Sequence, residues 1–249
     1  MSDIPETHPR RASLLSRQKL VDAQAKGMLA NSALIAHGRG EAFDYLLGEK
    51  TTSGARNAAQ EVLARMSNAK NPVISVNGNT VALAIEQLLL LADQIGCPIE
   101  VNIYYRTPER MNALLNHIEE VRSHLGIDVL ILGSNPDGEI PNLDGPRAKC
   151  CSAGILNADA ILVPLEDGDR CEALINMGKE VFVVDLNPLS RTARMATICI
   201  VDEISRAVSV MLEMDCSAVK VNPDFDATSS RDAVLDEMLD ALKRNQTEA

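Results

Sequence analysis

The feature that most constrains the fold is a series of short, continuous apolar runs that begins at Pro72. Most of these runs are rich in β-branched residues, which is typical of strands buried on both faces of a parallel sheet. Stretches of helical periodicity separate several of them, and repeated strand–helix units imply right-handed crossovers. The predicted strands are Val73–Val76, Ile99–Ile103, Asp128–Leu132, Ala160–Val163, Val181–Val184 and Ile198–Val201. The pattern therefore predicts an α/β fold with a doubly wound, mainly parallel six-stranded sheet.

Helical patterns flank and connect these strands. The predicted helices are Pro9–Lys26, about Ser53–Met66, Thr80–Ile95, Pro108–Leu125, Arg170–Met177, Ile204–Met214 and Arg231–Arg244. Residues 36–45 carry two glycines and show no helical period, so the pattern assigns no element there. We interpret residues 1–249 as a single α/β domain, with a helical N-terminal segment (1–70), a core (71–215) and a C-terminal extension with a helix (216–249).

The charge balance limits the partners of the chain. Its 35 acidic and 24 basic residues give a formal net charge of −11. Such a chain repels nucleic acid and anionic lipid, so we expect neither as a partner, and an anionic ligand must meet a local basic pocket. Aromatic residues make up 2% of the chain, which leaves few platforms for stacking nucleic-acid bases.

The cysteines indicate a reducing compartment. Six are present, but none forms a C-x-x-C pair, and this spacing argues against a zinc site. Cys97 and Cys199 lie in or beside apolar runs, where buried free thiols are expected. The polar start MSDIPETHPRR does not resemble a signal peptide, and no apolar stretch is long enough to span a bilayer. We therefore predict a cytoplasmic protein.

Polar residues follow the carboxyl ends of the predicted strands, where open parallel sheets bind ligands. After the first strand, Asn77-Gly78-Asn79 can turn tightly and expose backbone N–H groups to a phosphate, although a plain turn with an N-cap explains it equally well. After the second strand, Arg106 precedes a Thr-Pro helix start. An arginine at this edge of the sheet can bind a phosphate with two parallel hydrogen bonds, and a surface ion pair is the alternative.

Two further strand ends carry charge. Glu166, Asp167 and Asp169 could hold Mg²⁺ through water and substrate phosphates, or an ammonium group; the alternative is an acidic first helical turn. The segment Asp185–Arg194 combines an acid, an amide and a hydroxyl with Arg191 and Arg194, which favours an anion over a simple capped turn. P-loop, G-x-G-x-x-G, G-x-S-x-G and H-E-x-x-H motifs are absent. The residues alone thus indicate an α/β enzyme that handles phosphate.

Longer motifs point to one family. In order, they are IPETHPRRASLLSRQKLV (4–21), HGRGEAFDYL (37–46), ISVNGNTVAL (74–83), YYRTPER (104–110), VPLEDGDRCEAL (163–174) and VDLNPLSRTARMATICIVD (184–202). From Ile4 to about Met214 the chain closely resembles archaeal phosphopantothenate synthetase, also called 4-phosphopantoate–β-alanine ligase. The resemblance implies a Rossmann-like homodimer that needs Mg²⁺. It also implies ATP-dependent condensation of (R)-4-phosphopantoate with β-alanine, releasing AMP and diphosphate, in coenzyme A biosynthesis.

The resemblance also implies site residues. The ATP contacts fall at Arg17, Arg39, Asp185, Leu186, Asn187, Arg191, Thr192, Glu203 and Ile204. Amide formation needs an activated carboxylate, expected as an acyl-adenylate, and Arg191 and Arg194 would neutralise the charge that develops. From position only, Asn77, Gly78, Asn79 and Arg106 are expected to bind phosphopantoate, while Asp167 or Asp169 orients the β-alanine amine or a metal.

Some roles stay open. His37 could bind substrate or accept a proton, but we interpret it as a hydrogen-bonded structural histidine. The pattern assigns no covalent nucleophile and no metal ligand. The alternatives are another nucleotide-dependent enzyme, of kinase or dehydrogenase type, and a non-catalytic nucleotide-binding regulator.

Overall fold

The computed structural model describes residues 4–247, and the side chains of residues 4–243. Its strands are β1 (Pro72–Val76), β2 (Ile99–Val101), β3 (Ile131–Leu132), β4 (Gly138–Glu139), β5 (Lys149–Cys150), β6 (Ala160–Pro164), β7 (Glu180–Val184) and β8 (Ile198–Ile200). Six of them form a central parallel sheet in the order β3-β2-β1-β6-β7-β8. The other two, β4 and β5, pair antiparallel in a separate ribbon.

Helices cover both faces of this sheet. They are α1 (Arg11–Ala25), α2 (Asn31–Leu47), α3 (Ser53–Asn68), α4 (Gly78–Ile95), α5 (Pro108–Leu125), α6 (Gly168–Asn176), α7 (Arg191–Met195), α8 (Ile204–Leu212) and α9 (Ala227–Thr247). Alternate strand residues face opposite layers: Ile74 belongs to a core cluster with residues of α1, α3, α4, α5 and α8, whereas Val73 belongs to a cluster with residues of α6, α7 and α9. This arrangement confirms the predicted doubly wound α/β fold.

Most element boundaries shift by a few residues from those predicted. The strand expected at Asp128–Leu132 pairs only over Ile131–Leu132, and the last helix begins at Ala227 rather than Arg231. β3 is an edge strand with β2 as its only neighbour, and its pairing begins only where β2 begins, at Ile99 opposite Ile131. The division into segments 1–70, 71–215 and 216–249 stays a prediction, and residues 248–249 of the last segment lie outside the described residues.

The sequence pattern assigned no element to residues 36–45, but α2 runs through them. Gly38 and Gly40 lower the helix propensity of this segment, which hid it from the pattern. Tertiary contacts supply the missing stability. Asn79 Nδ2 donates to the Ala33 carbonyl at 3.2 Å, and Asp44 pairs with Arg206 of α8.

A buried glutamate organises the region beside β2. Glu100 is 1% exposed, and its two oxygens accept the N–H groups of Cys151 and Ile155, each at 2.8 Å. These bonds hold a π-helical turn (Ser152–Leu156) that sequence periodicity did not predict. Burial raises the pKa of Glu100.

The cysteines are free thiols, and burial of Cys97 and Cys199 is confirmed. Burial raises the pKa of Cys97, Cys150 and Cys171 to about 12, so these side chains pack as neutral groups. Among the described helices, none is sufficiently long and apolar to cross a membrane.

We predict that Gly154→Ala destabilises the protein. A Cβ at this position would collide with Glu100 Oε2 and lie 2.8 Å from Leu132 Cδ1, and the Glu100 carboxylate is held in place by its two hydrogen bonds. The expected loss is about 1–3 kcal/mol of unfolding free energy in urea titrations. As a control, a Cβ at Gly38 meets no heavy atom within 4 Å, so Gly38→Ala should stabilise α2 by up to about 1 kcal/mol. Equal effects of the two substitutions would contradict a specific requirement for glycine at position 154.

Candidate active site

The candidate site lies where the direction of strand order reverses. β1 leads outward to β2 and β3, whereas its neighbour β6 leads outward to β7 and β8, so a crevice opens between the carboxyl ends of β1 and β6. Asn77, directly after β1, bridges this crevice: its Nδ2 donates to the carbonyls of Pro164 (3.3 Å) and Leu165 (3.0 Å). The Asn77 Oδ1 accepts the Thr80 N–H, and the Thr80 hydroxyl accepts the Asn77 N–H, so the start of α4 is rigidly capped.

A cavity of about 850 Å³ occupies this crevice. Its walls come from the strand ends after β1, β2, β6 and β7, from the start of α8 and from α2. Site residues predicted from the sequence that line it are Arg39, Asn77, Gly78, Asn79, Asp185, Leu186, Asn187, Glu203 and Ile204. A volume of this size suits a nucleotide or a substrate of similar bulk.

Helix α2 forms one wall and spans the crevice. Near its start it is joined to the β1 end by the bond from Asn79 to the Ala33 carbonyl. Two turns later Gly40 packs on the β7 end, where a Cβ would lie 3.5 Å from Leu186 Cδ1. The segment before α2 approaches α4 more closely, since a Cβ at Gly78 would lie 3.0 Å from the Met28 carbonyl oxygen. A side chain at position 78 would therefore force one of these two backbones to shift.

The loop after β7 is held by its own side chains. Asp185 accepts the Asn187 N–H (3.0 Å) and the Ser190 hydroxyl (2.5 Å), and Ser190 in turn caps α7 by accepting the Ala193 N–H. Burial raises the pKa of Asp185. The capped turn weighed as an alternative for this segment is therefore present, and the same turn presents Leu186 and Asn187 to the cavity.

A buried charge network supports the wall after β6. Glu166 pairs with Arg147 (2.7 Å) and with Arg170, and all three side chains are at most 11% exposed. Arg147 also donates to Asn102 Oδ1 and Asp167 Oδ2, each at 3.1 Å. Burial lowers the pKa of Arg147, and the Glu166 carboxylate acts against that shift. Arg147 and Glu166 both line the cavity.

The other site residues predicted from the sequence are not among the described residues that line the cavity. Arg17 pairs with Glu41 at 2.8 Å, and Arg106 donates to the Gly133 carbonyl. Arg191 pairs with Asp169 and Glu172, and its stem crosses Gly168. Thr192 is buried and donates to the Glu166 carbonyl at 3.0 Å, Arg194 is exposed, and Asp167 caps α6.

Several lining residues had not been assigned a role from the sequence. Arg147 lies in a segment without periodicity, so nothing in the local pattern marked it. Tyr104, Tyr105 and Arg110 belong to the YYRTPER motif and line the cavity beside the predicted Arg106. Arg110 donates to the Met28 carbonyl at 3.3 Å, and burial lowers its pKa. Its position within that motif is a signal that could have identified it.

Three cavity-lining residues carry a buried atom that finds no hydrogen-bond partner within the described structure: His37 Nε2, Asn79 Oδ1 and Glu203 Oε1. The interpretation of His37 as a fully hydrogen-bonded structural histidine is therefore wrong for its Nε2. Each unpaired buried atom costs about 1–3 kcal/mol. A ligand with complementary polar groups would recover that cost.

The amino-acid sequence is similar to those of known proteins. The family model described as phosphopantothenate/pantothenate synthetase matches residues 54–241. A 4-phosphopantoate–β-alanine ligase of Thermococcus kodakarensis is 50% identical over 214 residues, which is 86% of this chain and 80% of the relative. The enzyme of that name from Methanosarcina mazei is 48% identical over 211 residues, 85% of this chain and 81% of the relative.

We predict that Arg206→Met uncouples α2 from α8. Arg206 joins two buried carboxylates, Asp44 and Asp202, and its loss leaves both without their cation. The expected cost at pH 7.5 is about 3–5 kcal/mol of unfolding free energy. Arg56→Met, which breaks the exposed pair with Glu213, should cost about 0–1 kcal/mol.

The cost of Arg206→Met should shrink with acid. Burial already raises the pKa of Asp44 and Asp202 in the folded state, and loss of the guanidinium raises both further. A carboxyl group whose pKa is higher in the folded than in the unfolded state binds protons more readily when the protein is folded. As the pH falls towards 5, protonation of Asp44 and Asp202 therefore stabilises the variant relative to the wild type. Urea titrations at pH 5 and 7.5 measure this difference, and a cost independent of pH would contradict it.

Proposed function

The chain belongs to the phosphopantothenate/pantothenate synthetase family, and on that premise we propose that it is a 4-phosphopantoate–β-alanine ligase of coenzyme A biosynthesis. The observation that carries the proposal is identity of about half the residues, across more than four-fifths of this chain, with several relatives of that name. The fold agrees with an enzyme of this kind, since its cavity lies at the carboxyl ends of the parallel strands, where such sheets bind ligands.

In the proposed reaction, ATP activates the carboxylate of (R)-4-phosphopantoate, and β-alanine then displaces AMP to form 4′-phosphopantothenate. Diphosphate leaves in the first step, which forms an acyl-adenylate. Both reactants of that step are anions, so the site must hold two negative groups against each other. Positioning and fixed positive charge are expected to supply most of the rate.

We assign the nucleotide to the side of the cavity that is formed by the end of β7 and the start of α8. Leu186 and Ile204 offer an apolar surface for the base. Glu203 uses one oxygen to cap α8, while Oε1 has no partner among the described residues and suits a ribose hydroxyl or an adenine amino group. Arg39 lines the cavity and is assigned to the triphosphate.

Three further ATP contacts in this proposal lie beyond the lining. Arg191 would reach the triphosphate only after leaving Asp169 and Glu172, a change that the negative charge of ATP favours. Arg17 would likewise have to leave Glu41. Thr192 contributes through the backbone of the β6 loop that its hydroxyl holds. Arg194 is exposed on α7 and is proposed to add positive charge to the site.

We assign the phosphopantoate phosphate to the start of α4. The first N–H groups of a helix have no intrahelical acceptor, and Gly78 and Asn79 supply them at the cavity wall. Asn77 contributes by holding this turn against β6, and Asn79 Oδ1 is free to accept a substrate hydroxyl. Arg106, bonded to the Gly133 carbonyl, is proposed to bind from the β2 end.

The remaining assignments follow the same premise. Asp167 and Asp169 border a second cavity of about 650 Å³ that shares Tyr104 and Arg147 with the first, and either acid could orient the ammonium of β-alanine. We propose Mg²⁺ as the counter-ion of the triphosphate; within residues 4–243 no group of three or more His, Cys, Asp or Glu is arranged to hold a metal. A homodimer and a cytoplasmic location are proposed on the family resemblance and on the free cysteines.

Product analysis tests the proposed function. Incubation with ATP, Mg²⁺, 4-phosphopantoate and β-alanine should release AMP and diphosphate in equal amounts with the amide product. Omission of either organic substrate should abolish sustained AMP release. ADP formation would indicate a kinase, turnover of a nicotinamide cofactor a dehydrogenase, and ATP binding without turnover a regulator; each of these results would overturn the proposal.

Two substitutions should separate the two halves of the cavity. Asn79→Asp places a negative charge at the start of α4, so the KM for phosphopantoate should rise about tenfold or more while that for ATP changes little. Arg39→Met removes a cation from the nucleotide side and should show the reverse pattern. Arg56→Met is the control, because Arg56 does not line the cavity and pairs with the exposed Glu213. If both substitutions changed only the KM for ATP, the division of the cavity would be wrong.

A further inference from the structure

His37 lies midway along the part of α2 that spans the crevice. Ala33, one turn before it, is bonded to Asn79 at the β1 end, and Gly40, about one turn after it, packs on Leu186 at the β7 end. Residues at this spacing share one face of a helix. With a rise of 1.5 Å per residue, His37 lies about 6 Å along the axis from Ala33 and about 4.5 Å from Gly40. The imidazole is thus placed between the two proposed subsites.

The His37 imidazole also has a ring nitrogen that is available for proton transfer. His37 lines the cavity, and its Nε2 has no hydrogen-bond partner in the part of the chain that the structure describes. An unpaired ring nitrogen of a neutral imidazole can accept a proton. His117 on α5 offers a contrast, because it is half-buried but does not contribute to this cavity lining.

The charged surroundings of His37 suit a ring that is neutral before a reaction and charged after it. Burial is the largest influence and lowers the pKa of His37 below its ordinary value, and Arg17 of α1 acts in the same direction. Three carboxylates act in the opposite direction: Glu41 and Asp44 of α2, and Glu203 at the start of α8. The ring is therefore neutral at pH 7, and the carboxylates stabilise the imidazolium that forms when it accepts a proton.

We propose that His37 is the general base of amide formation, accepting through Nε2 the proton that the β-alanine nitrogen loses. This inference rests on the proposed function. The ammonium of β-alanine first loses one proton to solvent. Its nitrogen lone pair then forms the C–N bond to the activated carboxyl carbon, Nε2 takes a proton from that nitrogen, and the C–O bond to the phosphate breaks with its electron pair leaving on AMP.

The test separates the two half-reactions. His37→Gln should lower kcat for AMP release with all substrates by about 100-fold or more, the usual effect of losing a general base. The same variant should retain phosphopantoate-dependent exchange of labelled diphosphate into ATP, since activation of the carboxylate needs no base. In the wild type, kcat should fall more steeply as the pH drops below the His37 pKa, because the protonated ring accepts no proton. The variant should lack this extra fall and keep only the shallower one that comes from protonation of the β-alanine amine.

A second variant and a matched control complete the experiment. His37→Ala should regain activity when imidazole is added, because free imidazole can enter the space left by the ring. His117→Gln, which replaces another half-buried histidine whose pKa burial also lowers, should keep the wild-type kcat and pH profile.

The outcomes distinguish this inference from the function on which it rests. Equal losses in exchange and in overall turnover, without rescue by imidazole, would show that His37 only positions substrates and would overturn the proposal. An unchanged kcat and pH profile in His37→Gln would overturn it too. Wild-type protein that releases no AMP with both substrates present would instead overturn the proposed function itself.

Discussion

The parallel pairing of β1 with β6 is the constraint on which the site depends. The chain leaves these two adjacent strands in opposite directions, so their carboxyl ends open a crevice that neither crossover helix can fill. Asn77 fixes the two walls of this crevice relative to each other, because its side chain caps α4 and also donates to the carbonyls of Pro164 and Leu165 at the end of β6. The distance between the proposed phosphate and nucleotide sides is therefore set by the sheet.

Helix α2 is the second element that the site needs, and long-range contacts rather than propensity hold it. Its end is tied to α8 through Asp44 and Arg206, and Arg206 is shared with the buried Asp202, which also accepts the Thr51 hydroxyl at 2.5 Å. A pair of carboxylates around one guanidinium is sensitive to removal of the cation, since two buried negative charges would remain. The same wall carries His37 and Arg39, so the stability of α2 and the chemistry of the cavity are linked.

Charge is distributed unevenly in this acidic chain. The formal net charge is −11, yet Arg39, Arg110 and Arg147 all line the cavity. Glu166 offsets Arg147 and Arg170 within the wall, which fixes the two guanidinium groups without exposing them to solvent. Buried and paired arginines keep a rigid geometry, whereas the exposed Arg191 can exchange its carboxylate partners for a ligand. A site for two anions can use both kinds of arginine, the buried ones as fixed positive charge and the exposed one as a mobile ligand contact.

Local patterns in the chain were sufficient for the fold class, the six strands and the polar loops at the ligand edge, because burial on two faces and turn chemistry act within a few residues. Asn77–Asn79 and Asp185–Asn187 were identified in this way, and both segments line the cavity. Helix α2 escaped prediction because its glycines weaken the periodic signal and its support comes from residues such as Asn79 and Arg206, distant in the chain. Arg147 escaped because it acts through Asn102, Glu166 and Asp167, which only folding brings to it. The unpaired Nε2 of His37 is likewise a property of the packed wall, since a polar atom is left without a partner only once every neighbouring group has taken its place.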